Sequence, residues 1–183
     1  FCDRDSKPTI ENCIFTGNIT SEGNGGAIAA DGASPIITNC IFNNNQVYTG
    51  FGGAISMNEI DGSVIKYSNF NSNSANKGGA VYINNFMGMQ CRIGGCLFES
   101  NNADFGGGIY IDKSEYEIRI VNIDNCILWK NNAYSGGAIY SDSSIFKINY
   151  STIVSNSASQ DKGGGIYIKD NINTTILNSI FWN

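Results

Sequence analysis

The sequence predicts an all-β fold: a parallel β-helix in which 183 residues form one domain of about six and a half turns, each of about 28 residues. A tandem repeat with this period runs through the whole chain, and no helical pattern accompanies it. The composition agrees, because 27 Ile stand against three Leu and β-branched side chains fit a pleated sheet better than a helix. A unit this short cannot bury its own apolar face, so successive units must stack.

A Gly-Gly pair, followed by a small and a β-branched residue, precedes one strand of each repeat. The spacing of the pairs is 26 to 30 residues. The six pairs begin at Gly25, Gly52, Gly78, Gly106, Gly136 and Gly163. Glycine allows a positive φ and close backbone approach, so we place a turn at each pair. A phosphate cradle, the alternative, would need a following helix N-terminus that the sequence does not predict. We expect two or three short strands per repeat, with equivalent residues about 4.8 Å apart along the axis.

An apolar residue followed three positions later by Asn runs in step with the Gly pairs. The asparagines of this column are Asn18, Asn45, Asn73, Asn101, Asn131 and Asn156. We predict that they point inward at a corner and form an amide ladder. In this ladder, each side-chain amide donates a hydrogen bond to the next turn and accepts one from the previous turn.

A column of Cys and Ser stands two positions before each apolar residue of that motif. Its members are Cys13, Cys40, Ser68, Cys96, Cys126, Ser151 and Ser179. We interpret them as small core residues with free thiols, because Cβ atoms about 4.8 Å apart in a parallel ladder exceed the roughly 3.5–4.5 Å of a disulfide. Cys2 and Cys91 lie outside the column, and their pairing stays open. Without His or a Cys-x-x-Cys pair, neither a metal nor a cofactor is expected.

A column of six residues, four of them tyrosines, follows the β-branched residue of the Gly motif. Strand alternation predicts that its side chains point outward. Its members are Ala29, Ser56, Tyr82, Tyr110, Tyr140 and Tyr167. Four stacked rings could hold a sugar ring or a partner surface. Alternatively, they form a packing ladder that covers the sheet.

Polar and charged residues form a further column two positions beyond the tyrosines. Its members are Asp31, Asn58, Asn84, Asp112, Asp142 and Lys169. Asp112 and Asp142 would lie in adjacent turns with carboxyl groups about 5 Å apart, the separation that a retaining glycosidase uses. Paired carboxylates also suit calcium. The alternative is that they cap turns, and the 30-residue repeat could break their register. With the tyrosines, Asp112, Asp142 and Lys169 are the candidate binding residues.

Three sequence motifs match the acceptor pattern for N-glycosylation, and two of them are candidate sites. They are Asn149-Tyr150-Ser151 and Asn173-Thr174-Thr175, so Asn149 and Asn173 are candidate glycosylation sites. Asn18 also matches the pattern, but an inward ladder position would prevent its modification.

The charge pattern excludes several classes of protein. The net charge is −5 with no basic run, which argues against nucleic acid as a partner. No apolar stretch approaches the roughly 20 residues that span a bilayer. The absence of His removes the commonest general base and the commonest metal ligand.

The Gly-Gly-Ala-Ile and Phe-x-x-Asn motifs resemble the repeats of chlamydial polymorphic outer-membrane proteins. The segments TNCIFNNN and NCILWKNNAYSGGAIY are also similar to repeats of large secreted β-helix proteins of bacteria and some protists. The resemblance implies a right-handed parallel β-helix in an extracellular or cell-surface protein, often with a role in adhesion or surface structure. It carries over no catalytic residues, and polysaccharide-degrading enzymes share the same fold class.

The sequence therefore predicts a non-enzymatic extracellular rod, structural or adhesive, that presents a repetitive face to glycans or to other surface proteins. We expect the chain to be part of a longer protein, with its open sheet edges covered by further repeats, by caps or by self-association. The alternative is a carbohydrate-active enzyme, a polysaccharide lyase or a glycoside hydrolase. Repeats of 26 to 30 residues leave no insertion to build a cleft wall, which favours the non-enzymatic rod.

Overall fold

The computed structural model describes residues 1–84, 90–113, 120–160, 162–170 and 173–182. Within these ranges every regular element is a β-strand, and the longest strands have six residues. The strands are β1 (Thr9–Glu11), β2 (Ile14–Thr16), β3 (Ile19–Asn24), β4 (Ile28–Asp31), β5 (Ile36–Thr38), β6 (Ile41–Asn43), β7 (Gln46–Phe51), β8 (Ile55–Asn58), β9 (Val64–Lys66), β10 (Asn69–Asn71), β11 (Ser74–Lys77), β12 (Val81–Asn84), β13 (Gln90–Gly94), β14 (Leu97–Glu99), β15 (Asn102–Phe105), β16 (Ile109–Ile111), β17 (Ile120–Asp124), β18 (Ile127–Trp129), β19 (Asn132–Ser135), β20 (Ile139–Asp142), β21 (Ile145–Asn149), β22 (Thr152–Val154), β23 (Ser157–Ala158), β24 (Ile166–Lys169), β25 (Thr175–Leu177) and β26 (Ile180–Trp182).

Each turn contributes one strand to each of four parallel sheets, which we name I to IV in the order in which the chain visits them. Sheet I is β1-β5-β9-β13-β17-β21-β25, sheet II is β2-β6-β10-β14-β18-β22-β26, sheet III is β3-β7-β11-β15-β19-β23, and sheet IV is β4-β8-β12-β16-β20-β24. Equivalent residues pair across turns: Phe70, for example, lies opposite both Phe42 and Phe98. The predicted stack of about 28-residue turns is confirmed.

The expectation of two or three strands per turn is wrong, because each full turn has four. Sheet III is the least visible in the sequence: β11 reads Ser-Ala-Asn-Lys and lacks an alternating apolar pattern. It is a strand nonetheless, since its backbone groups pair with β7 on one side and β15 on the other.

The Gly pairs mark the corner between sheets III and IV, as predicted. The first glycine has a positive φ, which is +63° at Gly78, and a Cβ there would lie 2.3 Å from the carbonyl oxygen of Val81. The second approaches the next turn, since a Cβ on Gly79 would lie 2.2 Å from the carbonyl oxygen of Gly107. The first position therefore needs glycine for its dihedral angles and the second for lack of space.

The apolar core fills the interior of the coil with columns of like residues. The rings of Phe15, Phe42, Phe70 and Phe98 stack with centroids 4.7–4.8 Å apart. The last three rings are fully buried. Burial of each such side chain contributes about 1.5–3 kcal/mol, so the stacking of turns supplies the stability that one turn lacks.

The Cys and Ser column also faces the core. Cys40, Ser68, Cys96 and Cys126 are buried, and their side chains donate to the carbonyl oxygen two residues earlier. All six cysteines are free, in agreement with the interpretation of the column as core residues. Of the two unassigned cysteines, Cys91 is fully buried in β13, and Cys2 forms an isolated β-bridge with Ala30 outside the named strands. Burial raises the pKa of the Cys91 thiol to about 12, which keeps it neutral.

The predicted asparagine ladder is present at the corner between sheets II and III. Each side-chain amide donates to the Oδ1 of the next asparagine at 2.7–3.0 Å, from Asn18 through Asn156. From Asn45 onward, the amide also donates to a carbonyl oxygen of the preceding turn. Asn45, Asn73 and Asn101 are fully buried, so the ladder compensates polar groups that have no access to water.

Candidate functional site

The tyrosine column lies on the outer face of sheet IV, as alternation predicts. In β12, Val81 and Ile83 enter the main core, whereas Tyr82 joins a separate apolar cluster. We name this cluster the aromatic stripe. It consists of Phe51, Tyr82, Phe105, Tyr110, Tyr140 and Tyr167.

The rings of the aromatic stripe cover one another. Successive centroids from Phe51 through Tyr82, Tyr110 and Tyr140 to Tyr167 are 4.7–5.6 Å apart. Phe105 packs edge-on against Tyr140 at 5.4 Å. This spacing follows from the repeat of the turns and favours offset ring contacts.

The expectation that these rings are open to a ligand is wrong for three of the four tyrosines. Tyr82, Tyr110 and Tyr140 are 3%, 2% and 7% exposed, and Tyr167 is half-buried. They form the packing ladder that was the alternative, because turns this close leave no room for a sugar between adjacent rings.

Sheet III supplies two rings of the stripe and a cation in contact with it, all three of which sequence reasoning missed. Phe51, Lys77 and Phe105 each stand immediately before a Gly pair. The Lys77 ammonium lies 4.7 Å from the ring centroid of Tyr110 and 5.3 Å from that of Phe51. A column of aromatic and cationic residues directly before the glycines was the signal that could have identified them.

Asp112 lies at the edge of the stripe and is fully engaged with it. The Tyr82 hydroxyl donates to its Oδ2 at 2.6 Å, and the Lys77 ammonium lies 3.4 Å from the same oxygen. Its Oδ1 accepts the backbone N–H of Lys113 at 2.8 Å. Burial, and secondly the hydrogen bond from the Tyr82 hydroxyl to Asp112, raise the pKa of Tyr82, so the phenol remains a neutral donor.

Asp142 follows Asp112 in the next turn but has its own cation. Lys169 lies 3.2 Å from its Oδ2, and the Ser143 hydroxyl donates to its Oδ1 at 3.1 Å. Burial and the charge of Asp112 raise the pKa of Tyr110, to which a hydrogen bond with Asp142 also contributes. Ile111 pairs with Ser141 directly before the two aspartates, so the 30-residue repeat keeps the strand register. Each carboxylate is nevertheless compensated by its own cation.

The amino-terminal part of this column continues as a hydrogen-bonded chain of side chains. Asn84 donates to the Oδ1 of Asn58 at 3.0 Å, and Asn58 donates to the Oδ1 of Asp31 at 2.8 Å. Here the column borders an open hollow instead of the aromatic stripe.

We name this hollow the outer cleft. It has a volume of about 320 Å³. Its lining residues are Phe1, Thr20, Glu22, Asn24, Ala29, Ala30, Asp31, Ser56 and Asn58. It lies where the tyrosine column holds Ala29 and Ser56, and sequence reasoning missed it because it considered only the tyrosines of that column.

A second hollow of about 250 Å³ lies near the corner between sheets I and II. Its lining includes Lys66, Tyr67, Arg92 and Asp124 around the backbone of Gly94 and Gly95. Arg92 is held against the side chain of Gln90 by two hydrogen bonds.

The two candidate glycosylation sites differ in access. Asn149 is half-buried and donates to Asp124 at 3.3 Å, while the Ser151 of its motif is buried and donates to the Asn149 carbonyl oxygen. Asn173 is exposed. The structure therefore favours Asn173 over Asn149 as the acceptor. The expectation that Asn18 points inward is wrong in its burial, because Asn18 is exposed at the end of the ladder, where its side-chain amide donates to Asn45.

In the described part of the chain, no group of three or more carboxylate or thiol side chains could hold a metal ion. Over the same residues, no helix has the length and apolar character needed to cross a membrane.

Comparison with protein families gives the hand of the coil. The family described as "right handed beta helix region" matches residues 1–149, more than four fifths of the chain. This match supports the β-helix part of the resemblance and does not extend to the chlamydial proteins. Searches of curated proteins and of solved structures found no matching protein.

Proposed function

We propose that this chain, which belongs to the family of right-handed β-helix regions, is part of an extracellular or cell-surface rod with a structural or adhesive role. The rod acts by binding and not by catalysis. Its partners are glycans or other surface proteins, and further copies of the rod, end to end or side by side, are additional candidates.

The regularity of the turns is the observation that carries this proposal. Four short strands recur in each full turn, in register with their neighbours, and successive Gly pairs are never more than 30 residues apart. An enzyme on such a scaffold needs insertions that wall a substrate groove. A stack of similar turns instead suits a stiff spacer with a long lateral surface.

The engagement of the carboxylates supports a non-catalytic role. A general acid or nucleophile must reach a substrate, yet Asp112 is bonded to Tyr82 and Lys77, and Asp142 is bonded to Lys169. These contacts stabilise the edge of the aromatic stripe. Asp142 and Lys169, together with the half-buried Tyr167, are the part of the predicted binding column that a partner can still touch.

The extracellular location is supported by the resemblance of the repeats to those of surface and secreted proteins. Exposure of Asn173 in an acceptor motif is compatible with it. Antibodies against the chain should label intact, non-permeabilised cells that produce it. Labelling that requires permeabilisation would contradict the location.

A paired assay separates binding from catalysis. The purified chain is screened for binding on a glycan array and for new reducing ends or unsaturated products on the same glycans. We expect binding without cleavage for the native chain, and again no cleavage products for the Asp112→Asn/Asp142→Asn double variant. Asp61→Asn, at an exposed acidic residue, is the matched control. Cleavage that the double variant loses and the control keeps would establish the enzymatic alternative.

A further inference from the structure

We propose that the outer cleft binds one ring of a neutral saccharide. This inference rests on the proposed glycan-binding function and assigns it to a defined place on the rod. The cleft is separate from the candidate residues of the tyrosine and charge columns that the sequence singled out from Tyr82 onward.

The cleft exists because the column of rings has no aromatic residue at two successive positions. The register places Ala29 opposite Ser56 and Ser56 opposite Tyr82, so the column position lacks an aromatic ring in two successive turns. Phe51 stacks on Tyr82 and ends the aromatic stripe. In the preceding turn, Asn24 takes the place of Phe51.

An aromatic residue stands on each side of this gap. Cys2 bridges to Ala30, which brings Phe1 into line with Ala29, and Phe1 lines the cleft with an 85% exposed ring. Phe51 does not line the cleft itself and lies one turn beyond Asn24, which does. A ligand ring in the gap would therefore continue the stacking that the tyrosines provide elsewhere, and the flat apolar faces of a sugar suit such contacts.

The lining supplies hydrogen-bonding groups around the ring position. Thr20 and Ser56 offer hydroxyl groups, Asn24 and Asn58 offer amides, and Asp31 offers a carboxylate. Asn58 donates to one oxygen of Asp31 at 2.8 Å, which orients the carboxylate at the edge of the cleft.

The aromatic stripe shows how a hydroxyl group on a ring can hydrogen-bond to a residue of the charge column, which begins with Asp31. The Tyr82 hydroxyl donates to the carboxylate of Asp112, which stands in the same column as Asp31. A hydroxyl group of a ring bound over Ala29 would form the corresponding hydrogen bond with Asp31 or Asn58.

Charge and size select among possible ring ligands. Among the side chains that line the cleft, Glu22 and Asp31 are acidic and none is cationic, so an acidic sugar would be repelled. A tyrosine side chain of a partner protein carries one hydroxyl and would leave most of the polar lining without partners, whereas a sugar carries hydroxyls around its ring. A volume of about 320 Å³ lies at the lower end of ligand sites and suits one ring or a chain end.

Titration of the ¹⁵N-labelled chain by NMR tests the site. The probes are neutral tri- and tetrasaccharides of glucose, galactose and mannose, a uronic acid trisaccharide, and N-acetyltyrosinamide. We expect at least one neutral saccharide to bind with a dissociation constant on the order of 1 mM and to shift the amides of Ala29, Ser56 and Asn58. The uronic acid and the tyrosine analogue should bind at least tenfold more weakly.

Two variants block the cleft in different ways. Ala29→Tyr places in the gap the residue that the column carries from Tyr82 onward, and Asp31→Ala removes the carboxylate if the first variant fails to fold. Each should weaken binding at least tenfold. Tyr150→Ala is the control, since its side chain is 65% exposed and lies outside the cleft.

The outcomes separate this inference from the proposed function. Saccharide binding that maps elsewhere, or that Ala29→Tyr leaves intact, would overturn the cleft as the site while glycan binding by the rod stands. Preference for the uronic acid or for the tyrosine analogue would overturn the assigned ligand class. No binding of any glycan, here and on the array, would overturn both.

Discussion

The outer face of sheet IV is covered by aromatic rings from Tyr82 to Tyr167 and bears an open cleft beside Ala29, although the backbone is the same in both regions. The strands pair in register across the boundary, and the asparagine ladder continues beneath both. The two regions differ at two positions of the repeat. The position after the β-branched residue holds Ala29 in the open region and Tyr82 in the closed one. In the same two turns, the position directly before the Gly pair holds Asn24 and Lys77, respectively. In this solenoid, the backbone sets where a surface is, and substitutions within a column decide whether that surface is covered or available.

The largest expected effect tests whether one backbone supports both regions. Asn73→Leu removes an amide that donates to Asn101 and Phe42 and whose oxygen accepts from the side chain and the backbone of Asn45. Several buried groups lose their partners, at about 1–3 kcal/mol for each that stays unsatisfied, so we expect a loss of about 3–5 kcal/mol in the free energy of unfolding. Urea denaturation measures it.

Asn84→Leu is the control for this variant. Asn84 is half-buried in the outer column and donates to the Asn58 side chain, so its replacement should cost no more than about 0.5 kcal/mol. Equal losses for the two variants would show that the ladder does not hold the turns together. The two regions would then not share a common support.

Opening the closed region is the second test. Tyr110→Ala removes a ring that is 2% exposed, stacked on Tyr82 and Tyr140 and in contact with the Lys77 ammonium. We expect a loss of about 3 kcal/mol, measured by urea denaturation. Ala29→Ser, at the equivalent position of the open region, should be close to neutral. A mild effect of Tyr110→Ala would mean that the stripe is a loose surface feature and that both regions are effectively open.

Alkaline pH probes the closed region alone. The pKa values of Tyr82 and Tyr110 are raised mainly by burial, so the folded protein holds these protons more tightly than the unfolded chain. Their contribution to stability is complete below the ordinary tyrosine pKa of about 10 and is lost as pH rises above it, by roughly 1.4 kcal/mol per pH unit for each phenol. Denaturation between pH 9 and 11 should show a shallower decline for the Tyr82→Phe/Tyr110→Phe variant than for the native chain. Identical slopes would contradict the burial of these phenols.

The smallest expected effect closes the open region. Ala29→Tyr should extend the stack beyond Phe51 and raise the free energy of unfolding by about 1 kcal/mol, the order of an added aromatic contact. Thermal and urea denaturation against the native chain measure it. A destabilised variant would show that the gap is too narrow for a ring, and the outer cleft would then be a shallow depression.

The sequence by itself determined the architecture because columns of residues encode it. The recurrence of Gly78, Asn73 and their counterparts in a fixed order about every 28 residues specifies which residues meet in adjacent turns, and a parallel in-register stack then places like residues side by side. The ladder, the inward Cys and Ser column and the corner glycines all follow from this one-dimensional pattern.

The tertiary structure decided what covers the outer face. Three residues that end strands of sheet III pack against tyrosines of sheet IV: Phe51, Lys77 and Phe105. The sequence of neither strand specifies the angle at which the two sheets meet, so these contacts could not be predicted from it. The same holds for β11, whose polar residues carry no alternation and become a strand through the backbone partners that adjacent turns provide. Contacts along the axis repeat with the sequence, whereas contacts across a corner depend on three-dimensional geometry. The contacts across the corner cover the tyrosines and make them a packing ladder. Where those contacts are lacking, at Ala29, the cleft stays open.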